Sequence, residues 1–288
     1  MDIYNLITIV ILILLFYYFY NNNLAEHYSS DKTVYIVWND IVNKQGLGDK
    51  IRGTIAIYQY CRSNNIKCIF DASLSGFGQF LKNSNSNNPN LNIDTEIVSV
   101  LNIYDDEFAI KKLIDNELKN KDTAYVFCNL FPKTPLSSED LEFLNYMMEP
   151  IDDLKYKVDN IKNELMDNYT IQHFRFKDGT DPDINKMIEC YQLLEKTYKE
   201  TDILMSNSII FRNYILARKQ IKTIKFDNCK ELHVGYNNSS DIIEFTLIEY
   251  YIITKSKFIH TYSEYGWVSA FIYYPSKFYN IPIENQQI

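Results

Sequence analysis

Apolar and polar positions divide the chain into one long apolar run at its start and, after residue 30, many short segments of two kinds. In one kind, apolar residues follow one another in a short run, as in residues 33–38 (TVYIVW). In the other kind they recur every three or four residues, as at Ile51, Ile55 and Tyr58. The first pattern is typical of buried strands and the second of amphipathic helices. Their alternation predicts an α/β protein whose sheets are mainly parallel.

The strand segments fall into two consecutive arrays. Strands are expected in the first array at residues 33–38, 66–70, 95–100 and 124–128, and in the second at residues 170–175, 203–205, 221–226, 232–234 and 257–261, the last being the expected final core strand. Helices are expected between them, with starts marked by Ser137 and by an apparent capping box from Asp241 to Glu244. We therefore expect two Rossmann-like lobes, residues 29–167 and 168–288, with a binding cleft between them.

Residues 3–20 form the long apolar run, which ends in a cluster of tyrosines. A run of this length is at the short end of what crosses a bilayer, and tyrosines suit the membrane interface. A cleaved signal peptide would need a basic start and a small-residue cleavage site, and neither is evident. We expect residues 1–28 to be one N-terminal transmembrane helix and its stalk. A buried helix of the fold is the alternative.

The orientation of this run in a membrane cannot be read from flanking charges, because the first basic residue of the chain is Lys32. Glycosylation sequons begin at Asn168, Asn237 and Asn238 and give slight support to a luminal location. The expectation is a single-pass membrane protein of type II, with the globular part in the lumen.

Composition excludes some classes of function. The net charge of −8 and the pI near 5.1 argue against a general nucleic-acid-binding protein, which would have a basic face. Five scattered cysteines contain no Cys-x-x-Cys pair, and none of the four histidines is spaced as a metal-binding pair. We therefore expect no metal site. The chain is rich in tyrosine and phenylalanine, so a patch of these residues is less informative than usual.

Candidate chemistry is concentrated at the end of the 170–175 strand. Its side chains alternate between two faces, with His173 and Arg175 on the same face, and a turn follows at Asp178. Open α/β sheets bind ligands at the carboxyl ends of their strands, where an arginine can hold a phosphate by two parallel hydrogen bonds. The alternative is an ordinary strand arginine that pairs with a nearby carboxylate.

A second candidate is the glycine-containing segment of residues 46–53 (GLGDKIRG), just ahead of a predicted helix. Glycines let a backbone approach a ligand closely, and the amides of a helix N-terminus favour anions. The segment matches neither a P-loop nor a complete dinucleotide fingerprint. A tight turn with Asp49 as the helix cap explains it equally well.

Four segments, in their order along the chain, resemble motifs of the fucosyltransferase superfamily with the GT-B fold. This superfamily includes α1,2- and α1,6-fucosyltransferases and protein O-fucosyltransferases. Residues 46–53 resemble its N-lobe glycine loop, residues 173–178 (HFRFKD) its HxRRGD-type motif, residues 206–208 (SNS) its Ser-Asp-Asp element, and residues 257–270 its serine- and tryptophan-rich segment. The resemblance covers most of the chain after the expected anchor.

The resemblance implies an inverting, metal-independent glycosyltransferase that moves fucose, or another sugar, from a GDP-sugar to a glycan or protein acceptor, without a cofactor. The N-terminal lobe would face the acceptor and the C-terminal lobe would hold the nucleotide sugar. The implied catalytic residues are Arg175, His173 and Asp178. The implied donor-binding residues are Gly46, Gly48, Asp49, Arg52, Asn207, Ser208, Ser263, Glu264, Trp267 and Ser269.

In that mechanism, Arg175 and the helix-terminal amides expected near Ser263 stabilise the charge that develops on the β-phosphate. The sequence also departs from the family pattern. Phe176 replaces a second arginine, and Asn207 and Ser208 replace acidic residues that help to hold the nucleotide. A catalytically degenerate protein of the same fold, which binds nucleotide sugars or a membrane partner, is therefore the alternative. Asp49, Asp178 and Glu264 all stay open as the general base.

Overall fold

The structure, a computed structural model, describes residues 31–42, 44–84, 91–92, 94–100, 107–165, 168–178, 180–224 and 239–288. The expected anchor at residues 1–28 and the strand expected at 232–234 lie outside these residues. Within the described ranges, no helix has both the length and the apolar character that crossing a membrane requires.

The first half of the chain forms a parallel sheet with helices packed around it. Its strands are β1 (Thr33–Asn39), β2 (Lys67–Leu74), β3 (Val98–Val100) and β4 (Thr123–Cys128), arranged in the order β2-β1-β4-β3. Its helices are α1 (Leu47–Ser63), a 3₁₀ turn (Gly76–Phe80), α2 (Glu107–Leu118), α3 (Ser138–Met147) and α4 (Asp152–Glu164). Parallel sheets are covered on both faces, which explains the continuous apolar runs in their strands.

The second half forms another parallel sheet. Its strands are β5 (Thr170–Arg175), β6 (Ile203–Ser206), β7 (Lys222–Thr223), β8 (Phe258–Ser263) and β9 (Ile283–Gln287). Its helices are α5 (Ile184–Thr197), α6 (Ile209–Leu216), α7 (Ser240–Ile253) and α8 (Ala270–Phe278). The strand order β7-β6-β5-β8-β9 is that of a doubly wound sheet, and it reverses between β5 and β8.

One strand that the sequence analysis did not predict follows the expected final core strand at residues 257–261. Strand β9 pairs with β8 in parallel, from Ile259 opposite Ile283 to Ser263 opposite Gln287. Its sequence, IENQQ, has a single apolar residue, and the other four residues are exposed. An edge strand of this kind is held by backbone hydrogen bonds, so it leaves no hydrophobic pattern in the sequence.

One expected helix start is confirmed and another is not. Ser137 caps α3, because its hydroxyl accepts a hydrogen bond from the amide of Asp140 while the Asp140 carboxylate accepts one from the amide of Ser137. The capping box expected from Asp241 to Glu244 does not form, since α7 begins after Ser239 and has no side-chain cap. Glu244 instead binds Lys157 of α4, with 2.5 Å between Oε1 and Nζ.

Helices of the second half pack against the first half and share its core. Most residues of α7 are buried, and the hydroxyl of its Tyr251 donates to the carbonyl of Met148 at 2.6 Å. Ile272 and Tyr274 of α8 belong to the same buried cluster as Trp38 of β1. The two sheets are therefore joined by a continuous apolar core, to which α7 and α8 contribute.

Candidate functional site

The carboxyl ends of β5 and β8 form one edge of the second sheet, at the reversal of strand order. Arg175 lies opposite Ser263 in the strand register, and the amide of Glu264 donates to the carbonyl of Arg175 at 3.0 Å. Ligands of open parallel sheets bind in the crevice outside such a reversal. The polar and aromatic residues found at this edge are named here the switch-point cluster: Arg175, Asp178, Glu264, Tyr265 and Trp267.

Arg175 is held in one orientation at this edge. Its side chain is 11 % exposed, and one of its Nη atoms forms an ion pair with Asp178. The amide of Asp178 in turn donates to the hydroxyl of Tyr265 at 3.1 Å, and the Arg175 guanidinium lies 5.9 Å from the centre of the Tyr265 ring. The result is a positioned positive charge, partly withdrawn from water, at the carboxyl end of a central strand.

The turn after β5 is fastened to the turn after β8. A carboxylate oxygen of Glu264 accepts the amide of Lys177 at 2.7 Å. Ser263 is fully buried, and its hydroxyl accepts the amide of Tyr265 at 3.1 Å. Both of these predicted donor-binding residues therefore stabilise the loops that carry Arg175 and Tyr265.

Helix α8 begins later than the sequence analysis expected. Its N-cap is Ser269 and its first residue is Ala270, so the amides near Ser263 are not helix-terminal amides. Trp267 precedes the helix, where it is 65 % exposed and stacks on Tyr265 with 5.1 Å between the ring centres. The helix start predicted near Ser263 is wrong, because the Ser263 hydroxyl binds the amide of Tyr265 in a local turn that does not continue into a helix.

His173 lies inside the sheet, behind Arg175. It is 5 % exposed, and its Nδ1 is 2.9 Å from the hydroxyl of Thr261 on β8. Burial, and after it the charges of Arg175 and Arg212, lowers the pKa of His173 to about 3. The imidazole is therefore neutral at physiological pH, and it links β5 to β8 through a side-chain hydrogen bond.

Asn207 and Ser208 direct their side chains toward the protein. The Asn207 amide accepts from the nitrogen of Phe176 at 2.9 Å and donates to its carbonyl at 3.0 Å, as a further β-bridge would. Ser208 caps α6 through the amide of Phe211 and donates to Asp181 at 2.7 Å. An aspartate at position 207 could not donate to the Phe176 carbonyl, which explains why asparagine suits this position.

Phe176 fills space in the hydrophobic core. It is fully buried and packs edge-on against Phe211, with 65° between the ring planes and 5.0 Å between the ring centres. A second arginine at position 176 would place its guanidinium in this apolar cluster, at a large desolvation cost. The departure from the family motif is therefore consistent with the packing of this chain.

The glycines within α1 allow other parts of the backbone to lie close to the helix. A β-carbon on Gly48 would lie 2.4 Å from the carbonyl carbon of Ala270, and one on Gly53 would lie 1.6 Å from the carbonyl oxygen of Cys128. Gly46, the N-cap of α1, has nothing within 4 Å of such an atom. Of the three glycines, Gly46 alone has open space beside it.

Asp49 and Arg52 form an ion pair on α1, with 2.9 Å between Oδ1 of Asp49 and an Nη atom of Arg52. The Arg52 guanidinium lies 4.6 Å from the ring of Phe131, which follows β4, and 5.6 Å from that of Tyr274 in α8. Burial raises the pKa of Asp49, although Arg52 opposes the shift. Asp49 lies in the first turn of α1 but does not cap it, since no side-chain cap is present.

The predicted site residues thus separate into two groups. Arg175, Asp178, Glu264 and Trp267 come together in the switch-point cluster, with His173 and Ser263 behind it and Asn207 and Ser208 on the neighbouring strand end. Gly46, Gly48, Asp49 and Arg52 lie on or beside α1, and Ser269 lies where α8 meets Gly48.

Two buried ion pairs were not predicted. Lys50 is 1 % exposed with its Nζ 3.2 Å from Asp40 at the end of β1, and burial lowers the pKa of Lys50. Arg212 of α6 lies 2.5 Å from Glu249 of α7, and burial raises the pKa of Glu249. Arg212 and Glu249 each lie in a helix made mostly of apolar residues, and this was the available sequence signal for the second pair.

The sequence analysis did not include Tyr265 among the site residues, although it included Glu264 and Trp267 on either side. The chain is rich in tyrosine, so a single tyrosine gave no signal. Within the part of the chain that the structure describes, no three His, Cys, Asp or Glu side chains are grouped as metal ligands would be.

Comparisons with known proteins bear on the fold. No family model matches the chain, and no curated protein sequence matches it. The structure of NodZ α-1,6-fucosyltransferase soaked with GDP-fucose is similar, with 11 % identity, a TM-score of 0.55 and coverage of 88 % of this chain and 94 % of that one. A further structure of NodZ, from Bradyrhizobium, has 11 % identity, a TM-score of 0.54 and coverages of 86 % and 93 %.

A plant structure is similar as well. A substituted FUT1 from Arabidopsis thaliana, in complex with GDP, has 12 % identity, a TM-score of 0.51 and coverage of 88 % of this chain and 70 % of that one. At such low identities these likenesses show the fold. The chain has a GT-B-like fold, the fold of these fucosyltransferase structures.

Proposed function

We propose that this protein is a glycosyltransferase that moves fucose, or another sugar, from a GDP-sugar to a glycan or protein acceptor. One observation carries the proposal. Arg175 is a positioned, partly buried arginine at the switch point of a doubly wound sheet, in a chain folded like proteins whose structures contain GDP-fucose or GDP.

The chemistry of this transfer needs positive charge at one place. The bond between the anomeric carbon and the β-phosphate oxygen breaks, and its electron pair leaves negative charge on that phosphate. The Arg175 guanidinium can stabilise this charge with charge-assisted hydrogen bonds while Asp178 keeps it oriented. An arginine here supplies the charge that a metal ion supplies elsewhere, so we propose a metal-independent reaction.

The acceptor hydroxyl forms the new bond to the anomeric carbon and loses its proton to a carboxylate or to water. Attack on the face opposite the leaving phosphate inverts the anomeric configuration. The neutral His173 supports Arg175 in this proposal, because a protonated imidazole beside the guanidinium would add repulsion. Its contact with Thr261 also maintains the register of β5 and β8.

A nucleotide-sugar-binding protein without catalysis is the second candidate. It is favoured by the side chains of Asn207 and Ser208, which bind the Phe176 backbone and Asp181. Side chains that already bind protein groups have fewer hydrogen-bonding atoms left for a nucleotide. In addition, no carboxylate of the switch-point cluster stands out as a general base.

The test compares Arg175→Ala and Arg175→Lys with the unchanged protein for GDP binding and for turnover of GDP-fucose. We expect the alanine variant to lose about a hundred- to a thousandfold in rate, because a transition-state hydrogen-bond donor is removed. Lysine should restore little, since a point charge does not reproduce the planar guanidinium. Arg218→Ala is the matched control, because Arg218 is exposed after α6 and packs on Tyr214.

Three outcomes decide between the candidates. Loss of turnover in Arg175→Ala alone, with a folded protein, supports the transferase. GDP binding that depends on Arg175, without any sugar transfer, favours the binding protein. Binding and turnover that do not change in Arg175→Ala contradict the placement of the donor at this edge.

We also propose that residues 1–28 attach the protein to a membrane as a single-pass, type II anchor with a luminal catalytic part. The long apolar run and the polar stalk motivate this proposal. The full chain should stay in the pellet after alkaline carbonate extraction, whereas the chain that starts at residue 29 should be released. A full chain found in the carbonate supernatant would contradict the anchor.

A further inference from the structure

Trp267 is an exception to the aromatic composition of this chain. The sequence has 24 tyrosines and 17 phenylalanines but only two tryptophans. Trp38 is fully buried in the core, as expected for so large an apolar side chain, whereas Trp267 is 65 % exposed. Single exposed aromatic residues are common on protein surfaces, so what distinguishes Trp267 is its stacking on Tyr265 at the sheet edge that carries Arg175.

The indole is also supported in a definite orientation. It stacks on Tyr265 at 5.1 Å between ring centres, with 30° between the ring planes. Tyr265 is itself fixed, because its hydroxyl accepts the amide of Asp178 and its own amide binds Ser263. Gly266, between the two aromatic residues, has nothing within 4 Å of the place where a β-carbon would be. The aromatic pair therefore borders open space.

We propose that the stacked pair of Tyr265 and Trp267 is a platform for a pyranose ring of the acceptor glycan. An indole face is apolar and carries a negative electrostatic potential, which suits the slightly positive C–H groups on one face of a pyranose. This inference rests on the proposed glycosyltransferase function and specifies the class of acceptor: a glycan.

The position of the platform fits the acceptor better than the donor. The guanidinium of Arg175, which would hold the phosphates, lies near Tyr265, and Trp267 is one ring further away. Trp267 also precedes Ala270, whose backbone meets Gly48 of the N-terminal half. A donor sugar reacts best where water is excluded, whereas a long acceptor can lie across an exposed ring.

The experiment uses the full chain in detergent, in four forms: unchanged, Trp267→Ala, Trp267→Phe and Tyr156→Ala. Tyr156 is an equally exposed aromatic residue, on α4, and serves as the matched control. Each form is measured for GDP affinity and for binding to a printed array of defined oligosaccharides with GDP present. Tryptophan fluorescence is then titrated with the best-binding oligosaccharide, because the other tryptophan is buried.

We expect Trp267→Ala to weaken oligosaccharide binding by about tenfold or more, while its GDP affinity stays within about twofold. Trp267→Phe should retain part of the binding, and Tyr156→Ala should match the unchanged protein. The oligosaccharide should change the fluorescence of the unchanged protein and not that of Trp267→Phe.

Other results would overturn the platform. An equal loss of GDP and oligosaccharide binding in Trp267→Ala would place the indole on the donor side. GDP binding without any array signal, or an array signal independent of Trp267, would remove the platform and leave the proposed transferase standing. Failure of the unchanged protein to bind GDP would instead count against the proposed function, on which the platform depends.

Discussion

The glycine segment of α1 and the switch-point cluster were both expected to bind the donor, but their surroundings differ. At Gly48 and Gly53, the space where a side chain would lie is filled by the backbone of Ala270 and of Cys128. At the switch-point cluster, a guanidinium and an exposed indole lie at an open sheet edge. The first region packs α1 against β4 and α8, and the second places polar and aromatic groups at the carboxyl ends of two strands.

This difference shows that glycine in a sequence has two physical meanings. The absence of a β-carbon allows a ligand to approach, and it equally allows another backbone to approach. An arginine at the end of a parallel strand also has two meanings, because its charge can be balanced by a bound phosphate or by a carboxylate, as Asp178 balances that of Arg175. We therefore expect mutations in the glycine segment to lower stability and mutations in the switch-point cluster to lower ligand binding.

The largest effect is expected in the glycine segment. Gly53→Ala forces a β-carbon against the Cys128 carbonyl, so α1 must move away from β4 at a cost of about 3 kcal/mol or more in unfolding free energy. Gly48→Ala should cost about 1–3 kcal/mol for the same reason. These losses outweigh the roughly 1 kcal/mol that alanine gains over glycine within a helix.

Gly46→Ala is the matched control, because its β-carbon would meet open space. Chemical denaturation should show a change below about 1 kcal/mol for this variant, since alanine is only a somewhat poorer N-cap than glycine. If Gly53→Ala were as stable as Gly46→Ala and instead lost GDP affinity, the segment would be a binding loop after all.

An intermediate effect is expected from acid at His173. The pKa of His173 is about 3 in the folded protein, whereas the ordinary pKa of histidine, about 6.5, applies in the unfolded chain. Between these values the unfolded chain binds the extra proton, so stability falls as the pH drops below about 6.5. Thermal unfolding at pH 7.5 and at pH 5.0 measures this loss.

His173→Asn should be less stable than the unchanged protein at pH 7.5 but lose less stability on acidification, because the titrating group is gone. Arg218→Ala again serves as a control that keeps the histidine. An identical pH dependence in His173→Asn and the unchanged protein would show that His173 does not control the acid response.

A smaller effect than that of Gly53→Ala is expected at Asn207. Asn207→Ala removes both hydrogen bonds to the Phe176 backbone and should cost about 1–3 kcal/mol of stability. Asn207→Asp keeps an acceptor for the Phe176 amide but places a carboxylate against the carbonyl, so it should rescue little. GDP affinity of the folded protein should change less than in Arg175→Ala, and a larger change would make Asn207 a donor ligand.

Local sequence was sufficient for the elements that depend on neighbours in the chain. Alternation along β5, followed by the turn at Asp178, predicted a strand that ends at Arg175. The serine and acidic residues at 137–140 predicted the start of α3, because a capping box is formed within one turn. The α/β class followed from the alternation of such elements.

Long-range partners decided the rest. Strand β9 exists because β8 offers it a free edge, and Gly48 is needed because a helix more than two hundred residues later packs against it. Arg212 is buried because Glu249 of another helix neutralises it. The sequence alone determined that Arg175 lies at the end of a strand. Only the tertiary structure decided what surrounds it, because desolvation, close packing and exposure depend on residues that meet after folding.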